Sequence, residues 1–175
     1  QPLAIQEPVP TFVGDREAGH EVVTDLGKKY LMKDLLFKRY SVGGPNLAPL
    51  YAYLQLLERH KFVSEDIVEI EVTGAGGKSV GLTDHHPSIH TETVLSLAAC
   101  YGEFKFKHAH DLSYCKDPRY LDFRKRTRVN IVPRKGPSLR AHRLQADMTV
   151  RTRSGGVFQQ AVDYPLMTQP ELEQK

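Results

Sequence analysis

The sequence predicts a small α+β domain that combines a mostly antiparallel sheet with two or three packed helices. Two segments carry apolar residues at helical spacing, and several shorter ones alternate apolar and polar residues as half-buried strands do. The last two strands are separated by Ser154, Gly155 and Gly156, which favours a hairpin turn. The composition, 40% hydrophobic and 26% charged over 175 residues, excludes a collagen-like or wholly disordered chain.

Two helices are predicted with defined ends. The first follows a break at residues 41–45, with Asn46 as its N-cap and Pro49 in its first turn, where proline loses no helical hydrogen bond. The second covers residues 89–101 and ends at Gly102. Intervals of three and four residues give the first helix one buried stripe, made of Leu47, Leu50, Leu54 and Leu57.

Strands are predicted at residues 67–73, 129–132, 144–150 and 157–164. A short helix over residues 118–125 precedes the second strand, because an aspartate followed by proline is a good helix start. This order of elements predicts a sheet that is covered by helices mainly on one face.

Both ends of the chain have the composition expected where a piece has been cut from a longer protein. Three prolines fall in the first ten residues, so residues 1–24 are interpreted as a linker or a cut end and residues 25–165 as the α+β domain. Residues 166–175 contain Pro170 followed by glutamates, a helix-start pattern. We expect them to begin a helix that returns to a part absent from this chain.

Charge and cysteine content predict a cytoplasmic domain. The formal net charge of +3 is too small to require a nucleic-acid or membrane partner. Cys100 and Cys115 cannot form a disulfide scaffold, so a reducing compartment is expected. No apolar segment approaches the roughly 20 residues that span a bilayer, and no leader pattern is visible.

Three candidate sites are weighed against simpler interpretations. Five histidines could ligate a metal, namely His85, His86, His90, His108 and His110. Because their spacing matches no zinc motif, we expect no metal.

The glycines at 74–77 are interpreted as a flexible loop, because no helix follows them, whereas a phosphate-binding loop leads directly into a helix. Residues 116–135 carry a net charge of +6. That run could attract nucleic acid, but a solvated face is favoured because interleaved aromatic residues are missing.

A fourth candidate has the chemistry of a carboxylate-binding site. Lys38 and Arg39 stand at the end of an apolar segment, directly before Gly43 and Gly44 and the helix start at Asn46. The cations supply charge, and a glycine-containing turn beside a helix N-terminus lets a ligand approach backbone N–H groups. The alternative is an ordinary turn with solvated cations.

One ordered series of segments begins with Leu-Phe-Lys-Arg-Tyr at 36–40, the glycine and proline turn, the leucine-rich helix and the strand at 66–72. It continues through the helix that ends at Gly102, Ala109-His110-Asp111, Asp117-Pro118-Arg119-Tyr120-Leu121, the strand at Val129 and residues 171–175. This order, over roughly residues 25–175, resembles the MmgE/PrpD family, which includes 2-methylcitrate dehydratase, cis-aconitate decarboxylase and iminodisuccinate epimerase.

The resemblance implies that this chain is the lid domain of an enzyme whose catalytic histidines lie on an absent helical domain. Family members work without metal or organic cofactor, removing a proton next to a carboxylate and expelling water or carbon dioxide. The expected function is therefore lyase or isomerase chemistry on a di- or tricarboxylate, such as dehydration of 2-methylcitrate-like acids. A homodimer of the full enzyme is expected, and the isolated chain should be inactive.

The resemblance also implies roles for individual residues. Lys38 falls on the lysine of the family's Phe-Lys motif and would bind or polarise a substrate carboxylate. Arg39, with Gly43, Gly44 and Asn46, would complete the substrate-binding set, while the reacting centre would lie near the remaining catalytic candidates, His90 and Thr93.

Two departures from the family pattern keep a second hypothesis open. Residues 43–46 replace a turn in which many members place a histidine, and Thr93 aligns with a tyrosine of the decarboxylase branch. Threonine cannot perform the acid chemistry of a phenol, which argues against decarboxylation. The alternative is a non-catalytic carboxylate-binding or assembly module on the same fold.

Overall fold

The computed structural model describes residue 28 and residues 38–74, 86–131 and 145–163. Apart from Lys28, these residues belong to the unit Lys38–Lys175. The expected domain limits, at residues 24/25 and 165/166, lie outside the described residues, as does the helix start expected at 166–175. Among the described helices, none has both the length and the apolar character needed to span a membrane.

The described ranges contain four α-helices and four strands, which confirms the predicted α+β class. Short 3₁₀ turns lie at Gly44–Asn46, Ser64–Asp66, Pro87–Ile89 and Leu112–Lys116. In chain order the main elements are α1 (Leu47–His60), β1 (Ile67–Gly74), α2 (Thr91–Tyr101), α3 (Phe106–His110), α4 (Pro118–Arg126), β2 (Thr127–Ile131), β3 (Gln145–Thr152) and β4 (Val157–Asp163).

The sheet is mixed, with the strand order β2-β1-β3-β4. Strands β1 and β3 are antiparallel, as are β3 and β4, while β1 and β2 are parallel. A parallel pair needs a long crossover connection, and the chain between β1 and β2 provides it with α2, α3 and α4. The β3–β4 hairpin turns where predicted, and Gly155 adopts there a φ of +87°.

Helices α1, α2 and α4 pack against one face of this sheet, whereas α3 packs on the turn at Pro87–Ile89. Helix α1 packs on β3 and β4, and α2 packs on α1, α4 and β2. The sheet contributes fully buried side chains to this interface from its two central strands, chiefly Ile70, Val72, Met148 and Val150. Apolar burial of this kind stabilises a domain by about 1.5–3 kcal/mol per large side chain, so the helical layer and the sheet depend on each other.

The other face of the sheet carries charged residues on three neighbouring strands. Glu69 on β1 pairs with Arg128 on β2 at 2.9 Å and with Arg151 on β3 at 3.6 Å. Arg151 also lies 3.8 Å from Glu71. A bulge between Ile67 and Glu69 breaks the alternation of β1 at its start and leaves Val68 exposed.

Helix α1 differs from its prediction in two respects. Leu47 and Leu50 are buried as expected, but Leu54 and Leu57 are only half-buried. The core positions of the next two turns are occupied instead by Tyr53 and Leu56, because the sheet-facing side of the helix is rotated from the predicted stripe.

The capping prediction for Asn46 is wrong. Asn46 occupies the N-cap position, but its side chain makes no hydrogen bond to the first turn of α1. Its side-chain amide instead forms hydrogen bonds with Ser88 and Thr91, which lie more than 40 positions further along the chain. A cap requires the side chain to bond a backbone N–H in the first helical turn. The Asn46 side chain does not do so, because it is bonded to partners that are distant in sequence.

The prediction that the glycine loop begins at Gly74 is also wrong. Gly74 is the last residue of β1 and pairs with Ile131 on one side and Ala146 on the other. A Cβ atom at this position would lie 2.8 Å from the carbonyl oxygen of Gln145. Glycine is therefore required by the close approach of β3, and residues 75–77 of the predicted glycine loop lie outside the described residues.

The hydroxyl of Tyr53 gives a stability prediction. Tyr53 is fully buried, its hydroxyl has no hydrogen-bond partner among the described residues, and burial raises the pKa of this phenol. Because a buried unpaired hydroxyl is penalised by about 1–3 kcal/mol, Tyr53→Phe should leave the free energy of unfolding unchanged or raise it by about 1 kcal/mol. Urea unfolding measures this, with Leu56→Ala, expected to lose about 2–5 kcal/mol, as the control. A clear loss of stability in Tyr53→Phe would contradict the burial described.

Candidate functional site

An open cavity of about 880 Å³ is lined by residues 38–43, 88–89 and 104–106. Three of these residues are cationic, Lys38, Arg39 and Lys105, and none of the described residues that line the cavity is acidic. A concave surface lined by one sign of charge attracts ligands of the opposite sign. The cavity is therefore suited to an anion.

Lys38 and Arg39 lie at the cavity, as the sequence predicts for substrate-binding residues. Both side chains are exposed. The Lys38 Nζ donates a hydrogen bond to the carbonyl oxygen of Val42 at 3.3 Å, which uses one of its three donors. The guanidinium carbon of Arg39 lies 5.8 Å from the centre of the Tyr40 ring, within cation–π range.

One carbonyl group organises the wall that carries these cations. The carbonyl oxygen of Ser88 accepts the backbone N–H of Gly43 at 2.8 Å and the side-chain Nδ2 of Asn46 at 3.0 Å. The Thr91 hydroxyl then donates to Oδ1 of Asn46 at 2.7 Å. We call these four residues the Ser88 clamp. The clamp joins the turn before α1 to the start of α2.

Asn46 belongs to this clamp and does not line the cavity. Only 1% of its surface is exposed, and its amide oxygen and nitrogen both have partners inside the protein. The geometry therefore supports a structural role for Asn46, and substrate binding by this residue stays a prediction.

The two glycines of the turn differ in their placement. Gly43 lines the cavity, whereas Gly44 does not. A Cβ at Gly43 would make only ordinary contacts at 3.6 Å, and a Cβ at Gly44 would meet nothing within 4 Å. Neither has a positive φ, so neither the backbone nor its surroundings demand glycine.

His90 and Thr93 are both buried, at the start and in the first turn of α2. His90 is the N-cap of α2 and is 4% exposed; its Nε2 has no hydrogen-bond partner within the described residues. Thr93 is buried between α2 and α4, where its hydroxyl oxygen accepts a hydrogen bond from Tyr120 at 3.4 Å. Neither residue lines the cavity, and their catalytic roles stay predictions.

The cavity is also lined by Lys105, a cation that sequence reasoning missed. The backbone N–H of Lys105 donates to Nδ1 of His108 at 3.0 Å, and the Lys105 carbonyl accepts the N–H of His108 at 3.0 Å. His108 is buried and stacks on Tyr101 with ring centres 5.0 Å apart. Burial lowers the pKa of His108, which favours the neutral imidazole that can accept at Nδ1. The backbone of Lys105 is thus fixed beside the cavity.

A further hydrogen bond connects the segment at residues 38–43 to α3. The Ser41 hydroxyl lies 2.7 Å from Nε2 of His110 on α3. The ring of Phe106, which lines the cavity, lies against the same imidazole with centres 4.2 Å apart. The segment that carries Lys38 and the helix that follows Lys105 are therefore joined by a direct side-chain contact.

A second cavity of about 690 Å³ shares Tyr40, Phe104 and Lys105 with the first. Its apolar lining includes Leu54 and Leu57, which accounts for the partial exposure of these two leucines. Its acidic lining residues are Glu58, Glu65 and Glu103. The two neighbouring cavities thus differ in charge, the first being cationic and the second carrying carboxylates.

The structure describes four of the five histidines considered as metal ligands, namely His86, His90, His108 and His110. Within residues 38–74, 86–131 and 145–163, no group of three or more histidines, cysteines or acids is placed to hold a metal ion. His85 lies outside the described residues.

The basic run at residues 116–135 is partly neutralised within the chain. Arg119 pairs with Asp117 at 2.9 Å, and Arg126 pairs with Asp122 and also donates to a backbone carbonyl. Arg128 pairs with Glu69 on the outer face of the sheet. Residues 132–135 lie outside the described residues.

Comparison with known proteins gives no relative: neither a protein-family model nor a curated protein matches the chain. The resemblance to the MmgE/PrpD family rests on the residues quoted above. What it implies about activity enters below as a proposal.

The Ser88 clamp predicts unequal effects for two substitutions in one turn. Asn46→Ala removes the amide and leaves the buried Thr91 hydroxyl without its acceptor, so the free energy of unfolding should fall by about 2 kcal/mol. Gly43→Ala is the matched control and should change it by less than about 0.5 kcal/mol, because the added methyl group would make only ordinary contacts at 3.6 Å and the backbone N–H that bonds Ser88 is kept. Urea unfolding of both variants measures the difference, and equal stabilities would contradict the clamp.

Proposed function

We propose that this chain is the lid domain of a cofactor-independent lyase or isomerase of the MmgE/PrpD type that acts on a di- or tricarboxylate. Dehydration of a 2-methylcitrate-like acid is the reaction we favour. The observation that carries the proposal is the cavity in which Lys38, Arg39 and Lys105 meet no acidic lining residue among those described.

Binding of a carboxylate follows from the chemistry of these groups. The guanidinium of Arg39 presents paired donors that match the two oxygens of a carboxylate, and the ammonium of Lys38 acts as a compact charge beside it. The Ser88 clamp holds the turn that follows them. A ligand would therefore meet cations on a fixed wall.

The proposed reaction uses the same charges. Removal of a proton next to a carboxylate places negative charge on the enolate that develops, and a fixed ammonium such as that of Lys38 stabilises this charge more than that of the substrate. The base that removes the proton would come from the helical domain, as the family resemblance implies. The chain alone holds half of the site and should bind without turnover.

The proposal also covers the location, the oligomeric state and the partners of the enzyme. It places the protein in the cytoplasm as a homodimer of the full enzyme, with the helical domain as the partner of this lid. It needs no metal or organic cofactor, and no nucleic acid or membrane.

The alternative is a non-catalytic carboxylate-binding or assembly module. The buried position of Thr93, whose hydroxyl already bonds Tyr120, favours this alternative over direct chemistry by that residue. A measurement of turnover distinguishes the lyase or isomerase from the binding module. A chain joined to its helical domain that binds citrate-like acids but releases no water from them would be a binding module.

The proposal predicts that the isolated 175-residue chain binds propane-1,2,3-tricarboxylate and that Lys38→Gln weakens binding about tenfold, because a charge-assisted hydrogen bond is lost. Isothermal titration calorimetry measures both affinities. Lys125→Gln is the control for net charge, since Lys125 is exposed on α4 and lines neither cavity.

Two results would contradict the proposal. One is an unchanged affinity in Lys38→Gln, or a loss of equal size in Lys125→Gln, since either would show that binding does not use this cavity. The other is water loss from 2-methylcitrate catalysed by the isolated chain, since the proposal places half of the site elsewhere.

A further inference from the structure

We propose that His108 is an acid-sensitive latch, which holds residues 104–106 in place while its imidazole is neutral and releases them when the imidazole takes up a proton. These residues line the first cavity, and Phe104 and Lys105 also line the second. The latch therefore couples the lining of both cavities to pH. The inference does not depend on the proposed function, because it concerns the response of the domain to acid and not the ligand that the domain binds.

The hydrogen bond between the Lys105 backbone and the His108 ring is the first argument. The backbone N–H of Lys105 donates to Nδ1 of His108 at 3.0 Å. Because a backbone N–H can only donate, this bond needs a lone pair on Nδ1, which the neutral ring with its proton on Nε2 provides. An imidazolium carries a proton on both nitrogens and accepts no hydrogen bond. Protonation therefore removes the bond and brings two N–H groups face to face.

The position of His108 in its helix is the second argument. Lys105 is the N-cap of α3, and His108 is the third helical residue. In a capping box, a glutamate or glutamine at this third position accepts the N-cap N–H. Glutamine does not titrate, and glutamate takes up its proton only near pH 4.3, whereas histidine does so near about pH 6.5. Histidine at this position therefore makes the start of α3 sensitive to mild acid.

The enclosure of the His108 ring is the third argument. Only 1% of the residue is exposed. Its ring stacks on Tyr101 with centres 5.0 Å apart, and the rings of Tyr114 and Phe104 lie in T-shaped contacts at 4.9 Å and 6.0 Å. A buried charge is unfavourable unless it is paired. The protonated ring therefore favours a state in which this packing opens and water reaches the imidazolium.

The charges around His108 set the direction of the pH dependence. The charged and titratable groups beside it are Glu103, Lys105, Lys107, Tyr114 and Tyr101, whose hydroxyl donates to Asp117 of the Asp117–Arg119 pair. Burial lowers the pKa of His108 most, Lys107 and Lys105 lower it further, and Glu103 opposes them. Since the unfolded chain binds the proton at the higher pH, the free energy of unfolding falls as the pH drops below about 6.5.

His110, on the same short helix, differs from His108 in the partner that it bonds. Its Nε2 lies 2.7 Å from the Ser41 hydroxyl, and its side chain is exposed. A hydroxyl can both donate and accept, so this bond persists whether or not the ring is protonated. The two histidines of α3 should therefore respond differently to acid, which makes His110 an internal control.

Amide hydrogen exchange of the ¹⁵N-labelled full chain, followed by NMR from about pH 7.5 to about pH 4.5, tests the latch. The protection factor of the Lys105 amide should fall about tenfold, with the same midpoint as the titration of the His108 ring. The Gly43 amide, which donates to the carbonyl oxygen of Ser88, should keep its protection, because neither partner of that bond titrates.

Two variants sharpen the test. His108→Gln supplies an acceptor that does not titrate, so protection of the Lys105 amide should become independent of pH. His110→Gln is the matched control and should keep the pH response of the wild type. The wild-type comparison of Lys105 with Gly43 decides the question even if His108→Gln does not fold.

Three results would overturn the latch. The first is constant protection of Lys105 over the whole pH range, whether or not the His108 ring titrates. The second is a pH response of equal size in His108→Gln. The third is an equal loss of protection at Lys105 and Gly43, since acid would then unfold the domain as a whole. Carboxylate binding is tested separately by the Lys38→Gln titration, so the latch and the proposed function can fail independently.

Discussion

The described domain depends on the carbonyl oxygen of Ser88, which accepts hydrogen bonds from Gly43 and from the side chain of Asn46. These bonds join residues more than 40 positions apart and connect the starts of α1 and α2. Because the buried amide of Asn46 has partners on both sides, satisfied polar groups inside the wall fix its geometry. The segment that carries the cations is thereby attached to the helical layer.

The cations of this cavity are exposed, but the backbone beside them is hydrogen-bonded within the domain. Lys38, Arg39 and Lys105 have exposed side chains, whereas the backbone of Lys105 is bonded to buried His108 and the turn after Arg39 is bonded through Gly43 to Ser88. Exposed cations contribute little to folding, so their placement is explained better by a ligand than by stability. On the outer face of the sheet, Arg128 and Arg151 both pair with Glu69, whereas of the three cavity cations Lys105 pairs with Glu103.

Local patterns in the sequence predicted much of this architecture. Helices α1 and α2, the turn at Gly155 and the helix end at Gly102 follow from spacing and from residues with special backbone preferences. The parallel pairing of β1 with β2, the partners of Asn46 and the position of Lys105 could not be predicted, because each depends on residues distant in sequence or on the rotation of an element about its axis. For the site, the pattern at residues 38–43 identified one part of the cavity lining, while residues 104–106 gave no local signal.

The central claim is that carboxylates bind in this cavity. Titration of the ¹⁵N-labelled chain with propane-1,2,3-tricarboxylate, followed through its amide chemical shifts, tests it most directly. The account predicts that the amides of Gly43, Ser88 and Lys105 shift together with one dissociation constant, because all three residues line the cavity. Shifts confined to α4 and to Arg128, or no shift at any of the three cavity amides, would contradict it.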